Sequence, residues 1–202
     1  MIAVIDYGMG NLRSVSKALE KLGAEVVVTS DKNKILEASK LVLPGVGAFG
    51  DAMCELRKRS LIKPIREGIQ NKKPFLGICL GLQILFSSSD ENPNIPGLNI
   101  FKGTIKRFPK DNGLKVPHMG WNSVSCKNSE SNNLKDVESD NFFYFVHSYY
   151  ADPEDKSLIL GETEYGVQFP SVIGKDNVFA TQFHPEKSQE KGLKILENFI
   201  KL

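Results

Sequence analysis

Short apolar runs alternate with amphipathic helical stretches through the first half of this chain, and that alternation leaves few architectures open. Ile2-Ala3-Val4-Ile5 reads as a buried strand, and Leu12, Val15, Leu19 and Leu22 then recur at helical spacing before Gly23. Glu25 to Thr29 is a second strand, Lys32 to Ala38 a short helix, and Leu41-Val42-Leu43 a third strand that ends at Pro44-Gly45. Helical patterns follow over Ala48 to Arg59 and on to about Gln70. Phe75-Leu76-Gly77-Ile78 is a fourth apolar run, with a helical Leu80 to Phe86 after it. Parallel strands need crossovers, and helices in those crossovers cover both faces of the sheet. The expected fold is therefore α/β: an open, mostly parallel sheet with helices on both faces.

The second half changes character. Ser88 to Gly97 is polar, carries two prolines and reads as a loop. Strand-like stretches follow at Thr104 to Phe108, Asn122 to Cys126, Phe142 to Tyr149, Leu158 to Glu162, Val167 to Ile173 and Val178 to Phe183. They predict additional antiparallel strands, with Gly174-Lys175-Asp176-Asn177 as a turn between the last two. Ser125 to Ser139 reads as a polar surface excursion. An amphipathic helix closes the chain from about Gln189 to Leu202, with Leu193, Leu196, Phe199 and Ile200 facing inward. At 202 residues without repeat or low-complexity tract, residues 1–202 are expected to form one domain.

Several function classes are disfavoured at once. With 26 basic and 24 acidic residues the chain lacks the basic footprint of a nucleic-acid binder. No apolar run approaches the roughly 20 residues of a membrane span, and Met1 to Asp6 does not resemble a signal peptide. Cys54, Cys79 and Cys126 are an odd, widely spaced set, which argues against a disulfide framework and for a reducing cytoplasm. Without a CxxC, and with its three histidines far apart, the chain offers no zinc pattern, and no metal or cofactor is expected.

In an open α/β sheet, ligands sit at the carboxyl ends of the strands, and three segments there could carry chemistry. Gly77-Ile78-Cys79-Leu80-Gly81 joins a strand to a helix and matches the small-x-nucleophile-x-small pattern of a nucleophile elbow. A sharp turn of this kind needs small neighbours two residues away, and it sets the sulfur at a helix N-terminus, where the dipole favours thiolate. A cysteine alone is as readily a small buried hydrophobe. Gln182-Phe183-His184-Pro185-Glu186 supplies a base and an orienter, because strand residues i and i+2 share a face. Leu43 to Gly50, with glycines at 45 and 47, can turn backbone N–H groups toward a developing oxyanion, and the N–H of Leu80 can add another.

Asp6-Tyr7-Gly8-Met9-Gly10-Asn11-Leu12-Arg13, with Asp31 some way on, superficially fits a dinucleotide fingerprint. Arg13 stands where that fingerprint needs its third small residue, so a Rossmann cofactor site is not expected. His118 and His147 have no acid at close spacing and read as structural or binding residues; Cys54 and Cys126 read as structural.

Together, Pro44-Gly45-Val46-Gly47, Gly77-Ile78-Cys79-Leu80-Gly81-Leu82-Gln83 and His184-Pro185-Glu186, in that order, resemble the class I glutamine amidotransferases over essentially the whole chain. The opening loop, Pro117-His118-Met119-Gly120-Trp121-Asn122 and Tyr144-Phe145-Val146-His147-Ser148-Tyr149 narrow the resemblance to the glutaminase subunits of histidine biosynthesis. The resemblance implies Cys79 as nucleophile on the side-chain amide of glutamine, His184 as base and then acid, and Glu186 as its orienter. It implies an oxyanion held near Val46 or Gly47 and at Leu80, and substrate contacts from Gln83, Ser148 and Tyr149. It further implies a (β/α)8-barrel cyclase as heterodimer partner, making imidazole glycerol phosphate and an aminoimidazole carboxamide ribotide, with Asn11, Trp121 and Lys187 toward that interface. Two other readings share parts of the pattern: a stand-alone thiol hydrolase of γ-glutamyl or peptide bonds, and a non-catalytic α/β binding module with an inert Cys79. The opening loop and residues 117–122 separate the first of these, since a solitary hydrolase does not need them.

Overall fold

The computed structural model describes residues 1–109, 113–127 and 131–202. The first half runs β1 (Ile2–Ile5), α1 (Leu12–Lys21), β2 (Val26–Thr29), α2 (Lys32–Glu37), β3 (Lys40–Gly45), α3 (Phe49–Lys58), α4 (Ile62–Gln70), β4 (Phe75–Cys79) and α5 (Leu80–Gln83). The second half adds β5 (Ser88–Ser89), β6 (Gly103–Arg107), β7 (His118–Cys126), β8 (Asn141–His147) and β9 (Tyr149–Pro153). It ends with β10 (Ile159–Glu164), β11 (Gln168–Lys175), β12 (Val178–Thr181) and α6 (Gln189–Lys201).

A nine-stranded sheet in the order β2-β1-β3-β4-β12-β11-β10-β7-β8 draws strands from both halves of the chain. Its first five strands are mutually parallel, and the strands from β11 to β8 extend it antiparallel. A three-stranded sheet, β5-β6-β9, packs beside it. The parallel strands are buried on both faces because alternate residues enter different cores. Ala3, Ile5, Leu41, Leu43, Phe75 and Ala180 meet Ile35, Leu56 and Ile65 of α2, α3 and α4. Ile2, Val4, Val42, Leu76, Ile78 and Phe179 meet Val15 and Leu19 of α1 and Ile195, Leu196 and Phe199 of α6. Of the expected inward face of α6, Leu196 and Phe199 are fully buried, while Leu193 and Ile200 are only partly so.

Four local expectations are corrected. The helix after Cys79 stops at Gln83 rather than reaching Phe86, because the carbonyls of Ile84, Leu85 and Phe86 accept from the N–H groups of Leu98, Ile100 and Asn99 instead of from a next turn. The apolar run from Phe142 to Tyr149 is two strands. The chain breaks at Ser148, and β9 leaves β8 to pair with β6. Ser88 and Ser89, expected in a loop, form the short β5 against Thr104 and Ile105. The polar stretch 125–139 is not wholly a surface excursion, since Leu134 and Val137 are buried and Asn198 of α6 donates to the Asn133 and Lys135 carbonyls. Residues 128–130 of that stretch lie outside the described residues. Among the described residues no helix is long and apolar enough to cross a membrane.

Candidate active site

Cys79 ends β4 and precedes α5 with φ 56° and ψ −108°, a conformation that side chains rarely adopt. The sequence makes that turn possible. A Cβ at Gly81 would run into the Leu43 carbonyl of β3, and one at Gly77 would stand 2.7 Å from the Gly81 oxygen. Only glycine at both places lets the helix start fold back onto the sheet. Leu80, the first residue of α5, therefore presents an N–H without an intrahelical acceptor beside the sulfur.

β12 neighbours β4 and leads directly to His184. The His184–Glu186 pairing arises differently from the alternation expected of a strand. β12 ends at Thr181, and Pro185-Glu186-Lys187 form a single turn of 3-10 helix that curls the carboxylate back to the ring. Nδ1 of His184 lies 2.9 Å from Oε1 of Glu186, and the Glu186 side chain is wholly buried. Ser188 anchors the turn: its Oγ donates to the His184 carbonyl at 2.6 Å and accepts from the Tyr144 N–H at 2.9 Å. The His184 N–H reaches the Tyr144 carbonyl at 2.9 Å. The base is thus fixed to β8 as firmly as to its own strand.

Burial by itself lowers the pKa of His184, but its contact with Cys79 and its hydrogen bond to Glu186 outweigh burial and raise it to about 10. Its Nε2 is buried and has no hydrogen-bond partner among the described residues, so the ring nitrogen nearest the thiol is not committed elsewhere. The Cys79 thiol points to the Val146 carbonyl at 3.8 Å and receives the Gln182 amide at 3.7 Å. The buried Tyr7 hydroxyl has no partner among the described residues, and burial together with the charge of Cys79 pushes its pKa well above the ordinary phenol value.

In front of Cys79 opens a cleft of about 320 Å³. Val46, Gly47, Leu80, Gln83, Ser148 and Tyr149, all singled out from sequence, line it together with Cys79. Gln83 is buried, and its Nε2 donates to the Tyr149 carbonyl at 3.0 Å and to Gln182 Oε1 at 3.1 Å. Sequence reasoning missed Glu91, which also lines the cleft and accepts from the Phe49 N–H at 2.7 Å, capping α3. Its only sequence signal was an acid within a polar loop. Gln182 was missed as well, although it stands two residues before His184.

Asn11, Trp121 and Lys187 lie outside the cleft. Asn11 caps α1 through Ser14. Trp121 is 47% exposed and stands edge-on to the ring of Tyr144, with centroids 6.2 Å apart. Lys187 Nζ lies 5.7 Å from the centroid of the same ring. These two side chains share the outer face of the β7–β8 hairpin with exposed Met119 and Phe142. The inner face carries His118 and His147, joined at 2.9 Å and stacked among Phe108, Phe145 and Phe169. Asp31 caps α2, which accounts for that acid without a nucleotide. Among the described residues no cluster of potential metal ligands occurs.

The family model described as glutamine amidotransferase class-I matches residues 3–202. An imidazole glycerol phosphate synthase subunit HisH of Aquifex aeolicus is 57% identical over 97% of this chain and 94% of its own length. Those of Geobacter metallireducens (52%, covering 98% and 96%) and Methanococcus maripaludis (50%, covering all of both chains) are similarly near. In structure, a glutamine amidotransferase crystal structure superposes with TM-score 0.77 at 16% identity over both whole chains. The structure of PurLQS from Thermotoga maritima superposes with TM-score 0.77 at 19% identity, over 99% of this chain and 97% of that one. At those identities the structural likeness speaks for the fold.

Proposed function

The chain belongs to the class I glutamine amidotransferases, among the HisH subunits of imidazole glycerol phosphate synthase, and we propose that Cys79, His184 and Glu186 are its catalytic triad. It is a glutaminase subunit of histidine biosynthesis, which releases ammonia from glutamine for use in a complex. The observation that carries the triad is Cys79 on its strained elbow beside a His184 held ready for a proton by Glu186.

The steps follow from these positions. His184 Nε2 takes the thiol proton, and the thiolate attacks the side-chain amide carbon of glutamine. Negative charge develops on the amide oxygen, where the N–H of Leu80 and one from the Val46–Gly47 strand end can meet it. His184 returns the proton to the departing nitrogen, and ammonia leaves behind a γ-glutamyl thioester. Water, deprotonated by His184, then releases glutamate and regenerates Cys79. Gln83, Ser148 and Tyr149 receive the amino-acid end of the substrate, and the Glu91 carboxylate offers its α-ammonium an opposite charge across the cleft. None of these steps calls for a metal or cofactor.

The ammonia consumer is a (β/α)8-barrel cyclase that docks as a heterodimer partner on the face bearing Trp121 and Lys187, with Asn11 at its margin. Exposed Met119, Trp121 and Phe142 on one hairpin face support that reading, since aromatic and methionine side chains are enriched where proteins meet. All three cysteines are free, which suits the cytoplasm. Residues 1–202 act in this reading as one domain.

The test is glutamate release from glutamine, with and without the cyclase and its ribotide ligand. Stimulated release that disappears in Cys79→Ala, with partner binding kept, is the expected result. Wild-type release from Cys79→Ala overturns the nucleophile, and release indifferent to the cyclase overturns the partnership in favour of a stand-alone hydrolase.

A further inference from the structure

A chain of buried hydrogen bonds leads to the sulfur of Cys79, and its direction can be worked out atom by atom. The Tyr149 carbonyl can only accept, so the atom of Gln83 facing it at 3.0 Å is the nitrogen. That nitrogen spends its second hydrogen on Gln182, 3.1 Å away, which must therefore present its oxygen. The amide of Gln182 is then obliged to turn its NH2 group toward Cys79, and Nε2 lies 3.7 Å from Sγ. Gln182 is wholly buried, its backbone N–H is held by Ser171 in β11, and water cannot compete for its amide.

We propose that Gln182 is a catalytic residue of this glutaminase, a fixed donor that stabilises the Cys79 thiolate whenever it forms. The proposal rests on Cys79 being the nucleophile. A hydrogen bond to the charged form of a group favours that form, and in a dry site the effect is large because no solvent shares it. The donor acts twice per turnover. It stabilises the thiolate before attack on glutamine, and it stabilises the same sulfur as leaving group when water cleaves the thioester. It also ties nucleophile to substrate site, since the other end of the Gln182 amide holds Gln83.

The test reads the thiolate directly. Iodoacetamide alkylates Cys79 by forming a sulfur–carbon bond and expelling iodide, and its rate against pH gives a midpoint and a plateau for the full chain. Gln182→Met removes the donor; Gln182→Glu keeps the side-chain shape and the acceptor for Gln83. The titratable groups already around the sulfur, namely His184, Glu186, Tyr7, Glu91 and His147, are kept in both, but Gln182→Glu adds a carboxyl of its own beside the sulfur, so Gln182→Met alone reads the loss of the donor. The expected result is a midpoint moved up by about one pH unit in Gln182→Met, or roughly ten-fold less thiolate at lower pH, and at least as far in Gln182→Glu, where the new carboxyl adds like-charge repulsion to the lost donor. A lower plateau with an unmoved midpoint would mean that Gln182 merely packs, and would overturn the proposal, as would a wild-type profile. Failure of the wild-type chain to label first at Cys79 among its three cysteines would instead overturn the assignment of the nucleophile.

Discussion

His184 and Glu186 are two residues apart in sequence and meet through a single 3-10 turn, with Nδ1 2.9 Å from Oε1. The carboxylate has no exposed surface, and among the described residues its second oxygen has no partner. Its one hydrogen bond among the described residues is therefore to the ring. Glu186→Gln preserves the shape and one acceptor but removes the charge that favours imidazolium. Glutamate release should fall by roughly 10- to 100-fold, against a loss of about 1,000-fold or more for His184→Ala, which removes the base itself. Steady-state kcat of the two variants, each bound to the cyclase, decides the order; equal losses would refute an orienting role for Glu186.

The pH dependence of stability has two limbs with separate owners. His184 rises from 6.5 to about 10 in the folded chain, because contact with Cys79 and Glu186 outweighs burial. Its contribution is complete below pH 6.5 and is lost as the pH climbs toward 10. Burial lowers His118 from 6.5 to about 4 and His147 to about 3. The unfolded chain gains protons there first, so stability falls as the pH drops below 6.5 toward those values. Each histidine contributes on the order of 1 kcal/mol per pH unit inside its window. Urea unfolding midpoints should accordingly peak near pH 6.5 and decline on both sides, and Glu186→Gln should flatten the alkaline limb only. An unchanged alkaline limb in that variant would contradict the cause given for His184.

Glu91 separates binding from chemistry. It lines the cleft and also caps α3 through the Phe49 N–H, so Glu91→Gln keeps an acceptor for the cap while removing the negative charge. KM for glutamine should rise about ten-fold or more with kcat within a few-fold, because the α-ammonium is bound alike before and during the reaction. A fall in kcat at constant KM would show that Glu91 serves the reacting end instead.

The legible part of this molecule was the part written in local pattern. Strand–helix alternation in the first half is set by residues a few positions apart, so β1 to β4 and their helices were read nearly to the residue. Gly77 was legible for the same reason, since the clash it avoids is with the turn four residues on, and Gly81, whose clash is with Leu43 of β3, was legible through its place in the small-x-nucleophile-x-small pattern. The second half was read less well because its strand ends depend on distant partners. The break at Ser148 exists because β6 captures β9, and the early end of α5 exists because residues 98–101 take the carbonyls of Ile84, Leu85 and Phe86 that a longer helix would have used. Glu91 and Gln182 were missed for a related cause. Glu91 belongs to no spacing motif and Gln182 has no part in the His184–Glu186 spacing it precedes, and each becomes meaningful only where folding brings it to Cys79 from a loop or a neighbouring strand.

Trp121 tests the partnership. It pairs with Tyr144 across the β7–β8 hairpin, and its ring stands 47% exposed on the face opposite the buried His118–His147 pair. A large side chain so placed contributes little to the fold, and aromatic anchors of this kind dominate the energy of the interfaces they enter. Trp121→Ala should leave the urea midpoint of the isolated subunit within experimental scatter. Its affinity for the cyclase should fall by roughly 30-fold or more, which titration calorimetry measures directly. Lys187→Ala removes a charge that lies over the Tyr144 ring at the edge of the same face, and should lower affinity less, with a stronger dependence on salt. Because Tyr144 also holds the His184 turn through the Ser188 hydroxyl and the His184 N–H, whatever presses on this face bears on the base. Stimulation of glutamate release at saturating cyclase should therefore be reduced in Trp121→Ala beyond what weaker binding explains. Full stimulation once binding is saturated would confine Trp121 to docking.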